Sequence, residues 1–424
     1  MFLQWIKAGK VYLDRRMIVM TLLGFASGFP MSLVTSTLSL WLNKSDISKK
    51  TIGLFSLVKT PYSFKWLWAP VVDRIGIPFF HKMGRRRSWA VFTQILLLLS
   101  ILGMSRIDPK AHIYLLAFFA VLVVIASASQ DIVLDAYRIE TFAPKEQGAG
   151  TAMFVLGYRI GMLFSGAGAL WFIHATNLGW NSVYLLVATG SFVGIFTILF
   201  IKEPEGEPAV PIKGADYKEK LNNFYKTSVV EPMRDFMKRT DWKIILLFVF
   251  LYKMSDAYMG PMVYPFYDDM GFSEGEIAKI TKIYGMIATI AGGIVGGLIA
   301  SRYNIYKTLF IGGVLQGLSN LMFVVQAHVG NDTDCLTMTI AVENVAGGIG
   351  TAAFVAYLSS LCNIKYTATQ YALLSSFMSL LRDIVSSSSG YLLTVTDWSM
   401  FFIITTLMAL PGLLLIPYIG RKSD

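Results

Sequence analysis

Twelve apolar blocks divide this chain, and they leave few architectures open. They cover residues 17–42, 52–72, 88–105, 113–137, 148–173, 182–201, 244–267, 279–301, 307–326, 335–362, 370–393 and 400–419. Each is near or above the ~17–25 residues that a helix needs to cross a bilayer. Hydrocarbon offers no partners to a free N–H or C=O, so blocks of this length read as helices. Composition agrees. Of 424 residues, 54% are hydrophobic and 15% charged, against about 25% charged in a soluble domain. The expectation is an all-α, multi-pass membrane protein, a monomer surrounded by lipid.

A polar stretch separates the sixth block from the seventh. It divides the chain into a six-helix half over 1–201, a linker over 202–243 and a second six-helix half over 244–424. A short surface helix is expected near 217–225. The net charge is +10, but the basic residues lie between apolar blocks, so they read as a topology signal and not as a nucleic-acid footprint. With the N-terminus in the cytoplasm, sixteen Lys and Arg residues fall in cytoplasmic loops and six in outer loops, leaving the linker aside. Both termini are therefore expected inside. The first block has no small-residue cleavage site after it and is expected to stay as a helix.

Some chemistries are excluded. Cys335 and Cys362 bracket one helical block and stand roughly 40 Å apart along it, too far for a disulfide. No His or Cys spacing suggests a metal or a cofactor. His81, His112, His174 and His328 fall in loops or at block ends, so a membrane-embedded enzyme is not expected.

Charges inside the blocks carry the functional signal. Six cations (Lys59, Lys65, Arg159, Lys253, Lys282, Arg382) accompany five acids (Asp131, Asp135, Asp256, Glu343, Asp383). A lone charge at bilayer depth is costly, so pairing is expected. Lys253 and Asp256, three residues apart, can meet on one helix face. Arg138 can meet Asp135 in the same way. Asp131 and Asp135 share a face, one turn apart. Asp131 has no cation within a turn on its own helix, and its expected partner is Arg159 of the fifth block. Two readings stay open: a static bridge that fixes packing, or an acid that alternately pairs and carries a proton. Glu343 has the same two readings, as a second proton site or as a polar clasp with Asn344. Asp131, Asp135 and Glu343 are thus candidate proton-coupling residues.

"APVVDRIGIPFFHKMGRRR" follows the second block. Its Asp73 can accept bonds from a neighbouring helix terminus or an arginine and latch the cytoplasmic side. "GFASGFP", "GGIVGG" and "GGIG" permit close helix contacts. Pro30 and Pro261 are expected to kink the first and seventh helices. The halves repeat weakly: "APVVDR" ends the second block and "GLIASR" the eighth, while "GYRIG" around Arg159 matches "LLRDI" around Arg382.

Four stretches, "DRRMIVMTLLGFASGFPMSL", "KTIGLFSLVKTPYSFKWLWAPVVDR", "SASQDIVLDAYRIE" and "GAGTAMFVLGYRIGMLFSGAGALW", closely resemble the AmpG-type muropeptide permeases of Gram-negative bacteria, within the major facilitator superfamily. The resemblance is dense in the first half and sparser in the second. It implies the major facilitator fold, with twelve transmembrane helices in two six-helix halves and alternating access. It also implies import of GlcNAc-1,6-anhydro-MurNAc peptides across the inner membrane, driven by protons. By matching motif, Ser129, Gln130, Asp131 and Gly28 are the functionally important positions. Enterobacterial members carry extra hydrophobic segments that are missing here. Muropeptides are anionic and carry sugars. Lys59, Lys65, Arg159 and Arg382 can therefore meet carboxylates, and Tyr62 can stack on a sugar face. With Ser129, Gln130, Lys253 and Asp256 these make the candidate substrate set. Gly28, Asp73 and Arg74 make the candidate gate. A carrier of another bulky anion, such as an acyl-CoA or a siderophore, is the alternative.

Overall fold

The computed structural model describes residues 9–176, 179–204, 217–386 and 388–421. Among the described residues, ten helices are long and apolar enough to cross a membrane: Arg15–Lys44, Arg85–Met104, Ile113–Thr141, Gln147–Ile173, Trp180–Phe200, Trp242–Asp269, Gly275–Arg302, Ile305–Val329, Thr333–Ser360 and Trp398–Gly420. They are the first, third to tenth and twelfth of the predicted blocks. The second and eleventh are helical but broken. The second runs through Lys49–Leu54, Phe55–Lys59, Thr60–Ser63, Lys65–Leu67 and Ala69–Arg74, with short 3₁₀ turns in between. Pro61 and Pro70 lack the N–H that a continuous helix needs. The eleventh comprises Thr367–Ser386 and Ser389–Val395, and its serines and Arg382 lower its apolarity. Twelve spans in two sixes make up the molecule.

Several spans begin at residues chosen by local chemistry. The carboxylate of Asp14 accepts from the Arg16 N–H, Asp332 from Cys335 and Asp397 from Met400, and the Asn304 side chain accepts from Lys307. Each side chain satisfies a donor that a helix start leaves free. Downstream of Pro30 the first span widens into a π turn over Leu33–Thr37. The seventh breaks at Lys253 and tightens into a 3₁₀ turn over Gly260–Met262 around Pro261. Both predicted kink sites are therefore irregular.

Among the described residues the buried apolar side chains form four clusters, two centred in each half. At the end away from the chain termini, one is made from residues between Phe29 and Ala188 and the other from residues between Tyr258 and Phe402. At the end with the termini, each cluster borrows from the opposite half. Ala368 and Ala372 join Met20, Val72 and Ala149, while Ile139 joins Phe248, Leu309 and Phe354. The halves meet where the fifth span packs on the eighth and where the second and fourth pack on the eleventh.

Linker residues 217–237 are helical and lie under that end. The expected helix is Tyr217–Tyr225. A second piece, Glu231–Met237, is held by Tyr366 Oη donating to Glu231 (3.2 Å) and Gln370 Nε2 donating to the Pro232 carbonyl (3.0 Å). Residues 205–216 of the linker lie outside the described ones.

Candidate functional site

Six of the intramembrane charges stand near the middle of their spans. Asp131, Lys65, Arg159, Lys253, Glu343 and Arg382 each lie within about one helical turn of the middle of their spans. The side chains of Lys282 and Asp383 lie outside the described residues.

In the first half, Ser27 of the first span donates to Asp131 Oδ1 at 2.6 Å. Lys65 is the cation whose charge acts on Asp131. Tyr62 bonds the Ser127 hydroxyl. The Trp68 indole donates to Ser129 Oγ at 3.0 Å, and Ser129 donates to the Ile125 carbonyl at 2.7 Å. The expected Asp131–Arg159 pair is not formed among the described residues. Helix geometry explains this: Asp131 is turned to Ser27 of the first span, whose hydroxyl is its hydrogen-bond partner among the described residues. Arg159 Nε is buried without a hydrogen-bond partner. Gln130 is fully buried, and neither of its amide atoms has a partner. Adjacent helical residues diverge by about 100°, so Gln130 turns into the bundle and does not reach the cavity described below.

The second half carries a matching cluster. Lys253 Nζ pairs with Asp256 Oδ2 at 2.9 Å and reaches Gln316 Oε1 at 3.4 Å and Thr351 Oγ1 at 3.5 Å. Asn344 Nδ2 donates to Glu343 Oε2 at 2.8 Å, and Thr289 Oγ1 donates to Asn344 Oδ1 at 2.6 Å. Both the Lys253–Asp256 pair and the Glu343–Asn344 contact follow the sequence spacing. Arg382 is exposed on the eleventh span and lines a small crevice beside Lys253. Lys59 is also exposed.

Between the halves lies a cavity of about 810 Å³. Ser36 and Thr37 of the first span, Arg159 of the fifth, Lys279 and Thr289 of the eighth and Asn344 of the tenth stand on its wall. It occupies the half of the molecule away from the chain termini. Arg159 is the residue of the predicted site that lines it. Lys279, Thr289 and Ser36 were not anticipated. Lys279 reads in sequence as a loop cation, because a polar "SEGE" precedes it.

The opposite end is shut. Asp73 accepts from the backbone N–H groups of Ala368 (3.2 Å) and Thr369 (2.6 Å) and from the Thr369 hydroxyl (2.6 Å). It also pairs with Arg86 at 2.8 Å, and Arg86 pairs with Glu140 at 2.6 Å. All three ionic side chains are 1% exposed, so the charges pair with one another away from water, although Arg86 Nη1 has no hydrogen-bond partner. The expected bonds from Asp73 to a helix terminus and an arginine are both present. Arg74 donates to the Thr227 carbonyl of the linker at 2.9 Å and stacks over the Tyr366 ring. Arg138 pairs with Asp135 at 3.3 Å, as the spacing suggests, and donates across to Ser359 Oγ of the tenth span at 3.2 Å. Asp135 therefore belongs to this closed end and not to the cavity. Glu140 and Thr369 had no sequence signal of their own. Gly28 lets the first span touch the fifth: a Cβ there would run into the Tyr158 backbone.

Comparisons with known proteins agree with this geometry. The family model described as Major Facilitator Superfamily matches residues 20–382 and 245–423. The proton:xylose symporter XylE superposes with a TM-score of 0.64 at 12% identity, covering 95% of this chain and 94% of that one. A human organic anion transporter gives 0.62 at 12% identity, over 97% and 99%. Those likenesses show the fold. Sequence relatives go further. A putative transporter AmpG 4 of Rickettsia conorii is 37% identical over 419 residues, 98% of this chain and 99% of that protein. The anhydromuropeptide permease of Escherichia coli K12 is 38% identical over 408 residues, 96% of this chain and 80% of that one. With its twelve spans, a cavity between two halves and relatives along its whole length, the chain is a transporter that belongs to the AmpG family of the major facilitator superfamily.

Proposed function

We propose that this protein imports anhydro-muropeptides from periplasm to cytoplasm, coupled to protons, for cell-wall recycling. The observation that carries the proposal is 38% identity over 408 residues to the anhydromuropeptide permease. The cavity supports it: Arg159 and Lys279 complement an anionic glycopeptide. Sixteen basic residues against six support cytoplasmic termini, in a bacterial inner membrane. In that orientation the cavity faces the periplasm, and Asp73, Arg74, Arg86 and Glu140 seal the cytoplasmic side. The halves 1–201 and 244–424 rock about the central site, tethered by 202–243.

Each candidate takes a role in this cycle. Asp131 and Glu343 exchange protons in their respective halves. Asp135 joins the inner seal through Arg138. Lys65, Tyr62 and Ser129 stand on the Asp131 side of the first half and change exposure as the halves move, while Gln130 stays packed inside the bundle. Lys253, Asp256, Arg382 and Lys59 do so on the side of the broken spans. Vesicle uptake of labelled anhydro-muropeptide, with and without a pH gradient, tests the reading. Gradient-driven accumulation is expected in the wild type and is lost in Asp131→Asn with expression intact. No accumulation, together with uptake of an acyl-CoA or a siderophore, would replace muropeptide by another bulky anion.

A further inference from the structure

Thr289, Asn344 and Glu343 form a chain that begins on the cavity wall and ends at the half-buried Glu343 carboxylate. Thr289 and Asn344 line the cavity. Asn344 Nδ2 donates to Glu343 Oε2 at 2.8 Å and to the Ile340 carbonyl at 3.0 Å. Its Oδ1 accepts from Thr289 Oγ1 at 2.6 Å. The Thr289 hydroxyl has a second acceptor in reach, the Gly285 carbonyl at 2.9 Å. A hydroxyl carries one proton and can serve one of these at a time.

We propose that Asn344 and Thr289 form an amide switch that reports the protonation of Glu343 to the substrate cavity. With Glu343 ionised, the amide N–H faces the carboxylate and the amide oxygen takes the Thr289 proton. The wall then offers the cavity acceptor lone pairs. When a proton from the cavity side binds Glu343, its new O–H needs an acceptor. Asn344 supplies one by turning its amide over. Oδ1 now accepts from Glu343, and Nδ2 donates to Thr289 Oγ1. The Thr289 O–H turns to donate to the Gly285 carbonyl, which already stands in place. The turn gives up the bond to Ile340. It leaves the second N–H of Asn344 facing the cavity that Arg159 also lines, where a carboxylate or carbonyl of the substrate can take it. Proton binding thus changes this wall from acceptor to donor, which favours an anionic substrate arriving after the proton.

The charged surroundings of Glu343 permit this. Lys253 and Asp256 of the seventh span act on it, and so does Tyr267. Lys253 and Asp256 pair with each other, which leaves Asn344 as its direct hydrogen-bond donor. Arg159 of the fifth span and Lys279 of the eighth line the cavity side. The ninth span carries Tyr306, Lys307 and His328 at its ends, and the eleventh brings Arg382.

The inference rests on the proton-coupled reading above, and two measurements separate them. The first uses no substrate. In acid–base difference infrared spectra of the protein in lipid, the wild type is expected to show a carboxyl band that disappears in Glu343→Gln. A side-chain amide change should accompany it, disappear in Asn344→Leu, shrink in Thr289→Val and survive in Thr289→Ser. No Glu343 band, or an amide change that persists without Asn344, overturns the switch. If Asn344→Leu does not fold, the two Thr289 variants decide the matter: equal amide changes in both overturn it. The second measures binding of a GlcNAc-anhydro-MurNAc tripeptide between high and low pH. The wild type should bind about tenfold more tightly at low pH, the scale of one hydrogen bond to a charged group, and Thr289→Val should lose that dependence. Unchanged pH dependence in Thr289→Val overturns the switch and leaves the transport reading intact. No tripeptide binding with the infrared signature present overturns the transport reading and leaves the switch.

Discussion

At the end that carries the chain termini, the fifth span meets the eighth across glycine and alanine, whereas the second meets the eleventh through a carboxylate. In the first seam an ideal Cβ on Gly148 would lie 2.6 Å from the Ala300 Cβ, and one on Gly297 would lie 2.9 Å from the Ala149 Cα. Beside the seam, Tyr12 of the turn ahead of the first span donates through Oη to the Ile294 carbonyl of the eighth at 2.8 Å. Its helices are continuous at that level. In the second seam the second span is broken at Phe64 and Trp68, while the eleventh runs unbroken from Thr367, and Asp73 collects four donors. The materials imply different duties. Small residues hold two helices at a fixed short distance and expose no unpaired polar group when they part. A buried carboxylate resists parting until something replaces its donors. In the proposed cycle the glycine seam therefore sets the geometry of the closed inner side, and the latch sets how firmly it stays closed.

Removing Asp73 should have the largest effect. Asp73→Ala leaves Arg86 with Glu140 alone and strips the eleventh span of its acceptor. The closed inner state should lose about 3–5 kcal/mol, as when one partner of a buried pair is deleted. A cysteine placed at Ser36, on the cavity wall, reports this: its labelling from outside should fall sharply, and unchanged labelling would remove the latch from the gate. Gly148→Val comes next. Overpacking costs about 1–3 kcal/mol, and the variant should hold the fifth and eighth spans apart. It should lower uptake and thermal stability together, whereas Asp73→Ala should change labelling more than melting temperature. If both variants behave alike, the two seams do not divide the work. Thr369→Val removes one donor but keeps the backbone N–H on Asp73. It should cost about 1 kcal/mol and give an intermediate labelling pattern. Tyr12→Phe should be the mildest, at or below about 1 kcal/mol, because Ile294 keeps its helical bond. A larger effect than that of Thr369→Val would mean that polar ties matter in both seams.

The same contrast shows what could be read beforehand. "GGIVGG" announces close packing, because a glycine run inside an apolar block has few other uses. Asp73 announces a latch, because an acid at a helix end needs donors. Neither names its partner. Thr369 is one threonine among many, and it matters because its N–H and hydroxyl, with the Ala368 N–H, open the eleventh span at the place where Asp73 closes the second. Glu140 looked like the polar end of a helix, yet it is buried against Arg86. The Asp131–Arg159 expectation failed for a related reason: both residues were visible, but which faces of two helices meet is not written in either one.

The linear chain determined those properties that depend on its neighbours in sequence. Block length and apolarity decide that a segment spans, residue spacing decides that Lys253 meets Asp256 and Arg138 meets Asp135, and small residues mark where helices can touch. Tertiary structure alone decided what depends on the rotation and tilt of packed helices. It turned Asp131 toward Ser27, buried Gln130, brought Arg159 and Lys279 to one cavity and joined Thr289 to Asn344. A helix repeats every 3.6 residues, so a rotation of a few tens of degrees exchanges one neighbour for another. That rotation is set by the packing of all twelve spans together.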